Sequence, residues 1–117
     1  MQGKRLDRVN QLIKEEVSML LQRELKDPRL GFITVTEVET TKDLRQAKIY
    51  VSVLGSDDQW AASLQGLASA RGFIRHWLRD HLDLRVTPTL EFKADRSMEH
   101  AAHIQALFKR LASERPA

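Results

Sequence analysis

In the stretch SARGFIRHWLRD, Arg71, Arg75 and Arg79 follow one another at four-residue spacing. A helix turns about 100° per residue, which places the three within an arc of roughly 80°, each step rising about 6 Å. Guanidinium groups at that repeat suit the phosphates of a nucleic-acid strand, because the planar fork donates paired hydrogen bonds to phosphate oxygens. Like charges four apart on a helix repel by a few tenths of a kcal/mol, and no acidic residue stands between them on the row. A bound anion would relieve that repulsion. The alternatives are a plain solvated helix face and a docking face for an acidic protein.

The distribution of charge points the same way. The 117 residues carry 19 Lys and Arg against 16 Asp and Glu, a net charge of +3. From Arg71 to Arg85 four arginines and two histidines stand against Asp80 and Asp83, whereas Ser56 to Ala70 holds Asp57 and Asp58 and no base. Lys4, Arg5 and Arg8 at the start of the first helix, Lys42 and Arg45 around a hairpin turn, and Arg85 extend the basic set. Lys48 is equally well read as a solubilising residue on a half-buried sheet.

Other chemistries have less to build on. His100 and His103 stand three apart, a spacing compatible with two metal ligands, but no third ligand is suitably placed, so no metal is expected. No Ser, Cys or glycine-rich motif of nucleophilic or nucleotide-binding type occurs. Adjacent pairs Glu15, Glu16 and Asp57, Asp58 project in different directions from a helix and make no acid/base couple. Trp60 and Trp77 fall on inward stripes and read as core rather than as base-stacking platforms. No enzyme activity and no cofactor are expected.

The elements that must position the basic residues can be read from periodicity. Leu6, Val9, Ile13, Val17, Leu20, Leu21 and Leu25 follow helical spacing up to the breaker KDPRLG. FITVTEVET and LRQAKIYVSVL are rich in β-branched residues and predict an antiparallel hairpin through TTKD. Ser56 is a plausible N-cap for a helix with Trp60, Leu64, Leu67 and Ala68 inward, running to about Ala70. A helix-interior glycine costs about 1 kcal/mol relative to alanine, so Gly72 is expected to mark a bend or close approach. A second helix then carries Phe73, Ile74, Trp77 and His81 inward. RVTPTLEFKAD predicts a strand with Leu90, Phe92 and Ala94 on one face, and Ser97 caps a last helix with Ala101, Ile104, Leu107, Phe108 and Leu111 inward.

Length and order imply one α+β domain over residues 1–112 with a short tail at 113–117, a small sheet being covered by helices on one face. The chain has no cysteine, no membrane-length apolar run and no signal-peptide core in MQGKRLDRV, so a cytoplasmic location is expected.

Two segments, KDPRLGFITVTEVETTKDLRQAKIYVSVLG and LASARGFIRHWLRDHLDLRVTPTLEF, closely resemble the bacterial ribosome-binding factor A family, the likeness running from Arg5 to about Leu111. The resemblance implies a type II KH-like fold in the order α-β-β-α-(kink)-α-β-α with a three-stranded sheet. It also implies binding to the immature 30S subunit and its 16S rRNA, assistance to 16S rRNA processing, importance in the cold, and a monomeric protein. A ribosome-associated GTPase would be a further partner. KH domains join two core helices by a GxxG loop that clamps nucleic-acid backbone; the resemblance puts an Ala-x-Gly kink there instead, at Ala70, Arg71 and Gly72. Under this reading Lys4, Arg5, Arg8, Lys42, Arg45, Arg71, Arg75, Arg79 and Arg85 are the RNA-contacting residues.

Overall fold

Strict alternation in QAKIYVSVL sets the architecture. In the computed structural model, which describes residues 2–25 and 27–114, this segment is strand β2 (Gln46–Leu54). Ala47, Ile49, Val51 and Val53 are buried on one face, leaving Lys48, Tyr50 and Ser52 on the other. Strand β1 (Phe32–Thr40) pairs with it antiparallel, from Phe32↔Leu54 to Thr40↔Ala47, with a bulge between Val35 and Glu37. Strand β3 (Thr89–Ala94) lies along the other side of β2 in parallel, from Gln46↔Thr89 to Val51↔Ala94. A parallel neighbour needs a crossover, and helix α2 (Asp57–His81) supplies it across the apolar face.

Helix α1 (Gln2–Arg23) packs beside α2, so the covered face is filled by two helices. Ile13, Val17 and Leu20 of α1 meet Leu67, Ile74 and Leu78 of α2 in one core with Val35, Val38 and Leu90 of the sheet. Trp77 ties the helices together: its indole N–H donates to Glu16 Oε1 at 2.9 Å, and His81 stacks on its ring with centroids 3.8 Å apart. Ser56 caps α2 in a reciprocal box with Gln59, an arrangement worth about 1 kcal/mol. Gly55 just before it holds φ at 153°, which a side chain would resist.

The structure corrects several expectations. The two helices expected around Gly72 are one continuous helix, and Ala70, Arg71 and Gly72 are interior positions of α2. Open space surrounds Gly72, whose Cβ would meet no atom within 4 Å. Phe73 is half exposed and His81 exposed, while Leu78 takes the buried place. The stripe Ala101, Ile104, Leu107, Phe108 and Leu111 of helix α3 (Ser97–Ser113) is exposed, because α1 and α2 already occupy the covered face. Ser97 is the first helical residue rather than the cap, and its N–H is taken by Asp95 Oδ1 at 2.9 Å. Asp95 also accepts from Thr36 Oγ1 at 2.6 Å, which pins the start of α3 to the sheet. The Ser97 side chain first, then Thr36 and the Ser97 N–H, hold the Asp95 carboxyl below its ordinary pKa. Of the expected tail, Ser113 belongs to α3, and residues 115–117 lie outside the described residues.

The close approach belongs to another glycine. After α1 the chain turns through Asp27, Pro28 and Arg29, with Asp27 accepting from the Arg29 guanidinium at 2.7 Å. The turn docks on α2 along a row of small residues three apart. Ser63 Oγ accepts from Gly31 N–H at 3.2 Å and donates to Arg29 O at 3.3 Å, and Ser69 Oγ accepts from Arg29 Nη1 at 3.3 Å. Between them a Cβ on Gly66 would stand 2.9 Å from Leu30 Cδ2 and 3.4 Å from Arg29 Cβ. Gly66→Val should therefore destabilise the domain by about 1–3 kcal/mol. Gly72→Ala should stabilise it by up to about 1 kcal/mol through helix propensity alone. Thermal unfolding of the two variants checks the contrast, and equal shifts would refute it.

Candidate nucleic-acid interface

The turn between β1 and β2 is built around Thr41 and Asp43. Asp43 Oδ1 accepts from Thr41 Oγ1 at 2.6 Å and from Arg45 N–H at 3.1 Å, and Leu44 N–H donates to Thr41 O at 2.9 Å. These bonds, the Thr41 hydroxyl foremost, hold the Asp43 carboxyl below its ordinary pKa. Closing the turn puts Leu44 at φ 61°, a left-handed conformation that costs a leucine about 1–2 kcal/mol. Its neighbours Lys42 and Arg45 are thereby held at the end of the hairpin.

Two distant parts of the chain meet that turn. Arg5 and Leu6 come from the first turns of α1, and Arg85 and Val86 from the loop between α2 and β3. Together with Lys42, Asp43, Leu44 and Arg45 they enclose a cleft of about 390 Å³. Four cations face one carboxylate there, and Asp43 lies 3.8 Å from Arg45 Nε. Such a concentration of positive charge, half-walled by Leu6, Leu44 and Val86, attracts anions more strongly than the same charges spread over a flat surface. Lys4 and Arg8 stand exposed on the same first turns of α1, outside the lining of the cleft.

The arginine row behaves differently from three equivalent phosphate ligands. Arg75 turns its guanidinium inward: Nε donates to Pro88 O at 3.1 Å and Nη2 to Thr87 O at 3.0 Å. It thus fixes the end of the loop that carries Arg85. Arg79 donates to His76 Nδ1 at 2.7 Å, and His76 Nε2 lies 3.2 Å from Asp80 Oδ2. An Nε2–H tautomer of His76 satisfies both contacts. Among the described residues Arg71 has no partner for its guanidinium and is exposed. Lys48 points from the open face of the sheet, away from the cleft. His100 and His103 are exposed on α3, and among the described residues no group of three potential ligands stands together.

Sequence reasoning nominated all four cations of the cleft but not their convergence, and it missed Asp43 and Leu44 as the residues that shape it. Proximity of Arg5 to Arg85 depends on the parallel placement of β3, for which the chain carries no local signal. The inward turn of Arg75 has a faint one in the proline that opens the strand, since carbonyls before such a strand start need donors from elsewhere.

A three-stranded sheet with a parallel third strand, helices on one face and cations gathered at one end is a small α+β module of the KH-like class. The chain belongs to the ribosome-binding factor A family, whose model matches residues 5–108. It is 48% identical over 111 residues to ribosome-binding factor A of Acetivibrio thermocellus, covering 94% of this chain and 90% of that one. The crystal structure of ribosome-binding factor A from Thermus thermophilus superimposes with a TM-score of 0.70 at 26% identity, over 79% of this chain and 97% of that one. A homology model of the Thermus thermophilus factor, fitted into a cryo-EM map of its complex with the 30S subunit, matches with a TM-score of 0.63 at 28% identity, over 74% of this chain and 91% of that one.

Because Arg75 bonds two carbonyls, Arg75→Gln should cost about 1–3 kcal/mol of stability, as is usual for hydrogen bonds from charged groups. Amide hydrogen exchange around residues 85–90 should quicken with it. Arg71→Gln should change stability by less than about 0.5 kcal/mol. A stable Arg75→Gln protein with unchanged exchange would show that the tie is dispensable.

Proposed function

We propose that this protein binds the immature small ribosomal subunit through 16S rRNA phosphates held at the basic cleft, and that it assists 16S rRNA maturation by binding rather than by catalysis. The observation that carries the reading is the convergence of Arg5, Lys42, Arg45 and Arg85 from three separate parts of the chain. Membership of the family supports the ribosomal target, and the relative from Thermus thermophilus fitted in its 30S complex supports the small subunit in particular. Lys4, Arg8, Arg71 and Arg79 extend the contact along both helices, and Arg75 serves it indirectly by fixing the loop.

A protein acting this way adds binding free energy to one arrangement of a flexible RNA. That help matters most in the cold, where mispaired RNA is slow to rearrange. The same reading places the protein in the cytoplasm as a monomer, with a ribosome-associated GTPase as the candidate for its release. No helix among the described residues is long and apolar enough to cross a membrane.

Sedimentation of the purified protein with immature and mature small subunits tests the proposal, with enrichment expected on the immature form and absence from both overturning it. Each phosphate neutralised releases counterions. Replacing Arg5, Lys42, Arg45 and Arg85 by glutamine should therefore flatten the log–log salt dependence of rRNA binding by up to about three and a half units. An unchanged slope in a folded variant would move the interface elsewhere.

A further inference from the structure

At the opposite end of the hairpin from the basic cleft lies a surface of different chemistry. Phe32 and Leu54 are cross-strand partners on the open face of the sheet and are 80% and 77% exposed. With Thr34, Ser52, Trp60 and the first turns of α3 at Met98 they border a second cleft, of about 580 Å³. Trp60 is only 2% exposed, yet its indole N–H has no acceptor among the described residues. The Nε1 atom is itself enclosed, so Trp60 forms the floor of the cleft and its N–H is out of reach of anything docking there.

The surroundings say what kind of molecule the cleft suits. Arg96 stacks over the Trp60 ring at 4.3 Å and is already committed to Asp57 at 2.9 Å and Glu99 at 3.2 Å. Two carboxylates therefore share one guanidinium beside the cleft, whose lining carries Glu99 as its one charged residue. A phosphate strand would meet net negative charge here, whereas lysines or arginines flanking an apolar side chain would meet attraction. Nine residues of β2 at about 3.3 Å each separate this surface from the basic cleft by roughly 25–30 Å.

We propose that this cleft docks a basic protein segment of the small subunit. An apolar side chain of that segment sits against Phe32, Leu54 and Met98, and its flanking cations face Glu99 and, beside the cleft, Asp57. The inference rests on the ribosomal reading above and adds a second, chemically distinct contact to it. The protein thereby holds RNA at one end of the hairpin and protein at the other.

A photoreactive benzoylphenylalanine in place of Leu54, and in a second full-length preparation in place of Arg5, separates the two ideas on immature subunits. Position 54 should crosslink to a protein segment carrying Lys or Arg around an apolar residue, and position 5 to rRNA. Leu54→Glu should weaken retention on the subunit about tenfold while leaving binding to naked rRNA and its salt slope unchanged; Leu54→Met should restore retention. If the protein sediments with the subunit but position 54 crosslinks to rRNA, to a second copy of the chain, to a segment without basic residues or to nothing, the docking proposal is wrong and the RNA reading survives. Failure to sediment at all removes both.

Discussion

Only one face of the sheet is apolar, and the rest of the molecule is arranged around that limit. Ala47, Ile49, Val51 and Val53 of the central strand point into the single interior, and α1 and α2 together fill the space above it. Among the described residues fourteen hydrophobic side chains are buried, none of them from α3. Once two helices have covered the face, a third has nowhere to pack. This is why α3 stands away and why the molecule reaches 63 Å in its longest direction while measuring 19 Å in its shortest.

The same limit divides the surface by chemistry. Two loops and the start of α1 at one end of the sheet carry cations from three parts of the chain into a concave site, where Asp43 organises the turn without cancelling the charge. At the other end the strands finish in Phe32 and Leu54, and acidic residues in the first turns of α2 and α3 gather on Arg96. If both surfaces bind as proposed, separating the two kinds of contact along a hairpin would let a small domain measure a distance between two features of its partner. A single basic patch could not do that.

Much of this was legible in the sequence because it is local. Alternation in β2, the 3.6-residue repeat of α1, the Ser56 cap and the turn at TTKD each depend on residues a few positions apart. What failed depended on packing between distant elements. Gly72 reads as a break because glycine is a poor helix former, but a continuous α2 tolerates it on an exposed side, and the small residues that matter, Ser63, Gly66 and Ser69, stand out only against the Arg29 loop. The α3 stripe looked inward by the same rule that served α1; periodicity reports that a helix has an apolar side, not that the core has room for it. Arg75 shows the converse, a residue typed as surface charge whose long side chain reaches back to two carbonyls.

The parallel seating of β3 also governs the order in which the chain can become competent. Strands β1 and β2 pair through a short turn and can form with α1 as soon as they leave the ribosome that makes them. β3 must wait until the whole of α2 has been synthesised and has crossed the sheet, because its partners on β2 lie far back in the chain. Arg85 arrives with that last strand, so a nascent or truncated chain displays Arg5, Lys42 and Arg45 without the fourth cation or the loop that closes the cleft. If the cleft is the RNA contact proposed above, binding strength is coupled to completion of the fold, and an unfinished molecule would be a poor competitor for the site that the finished one occupies.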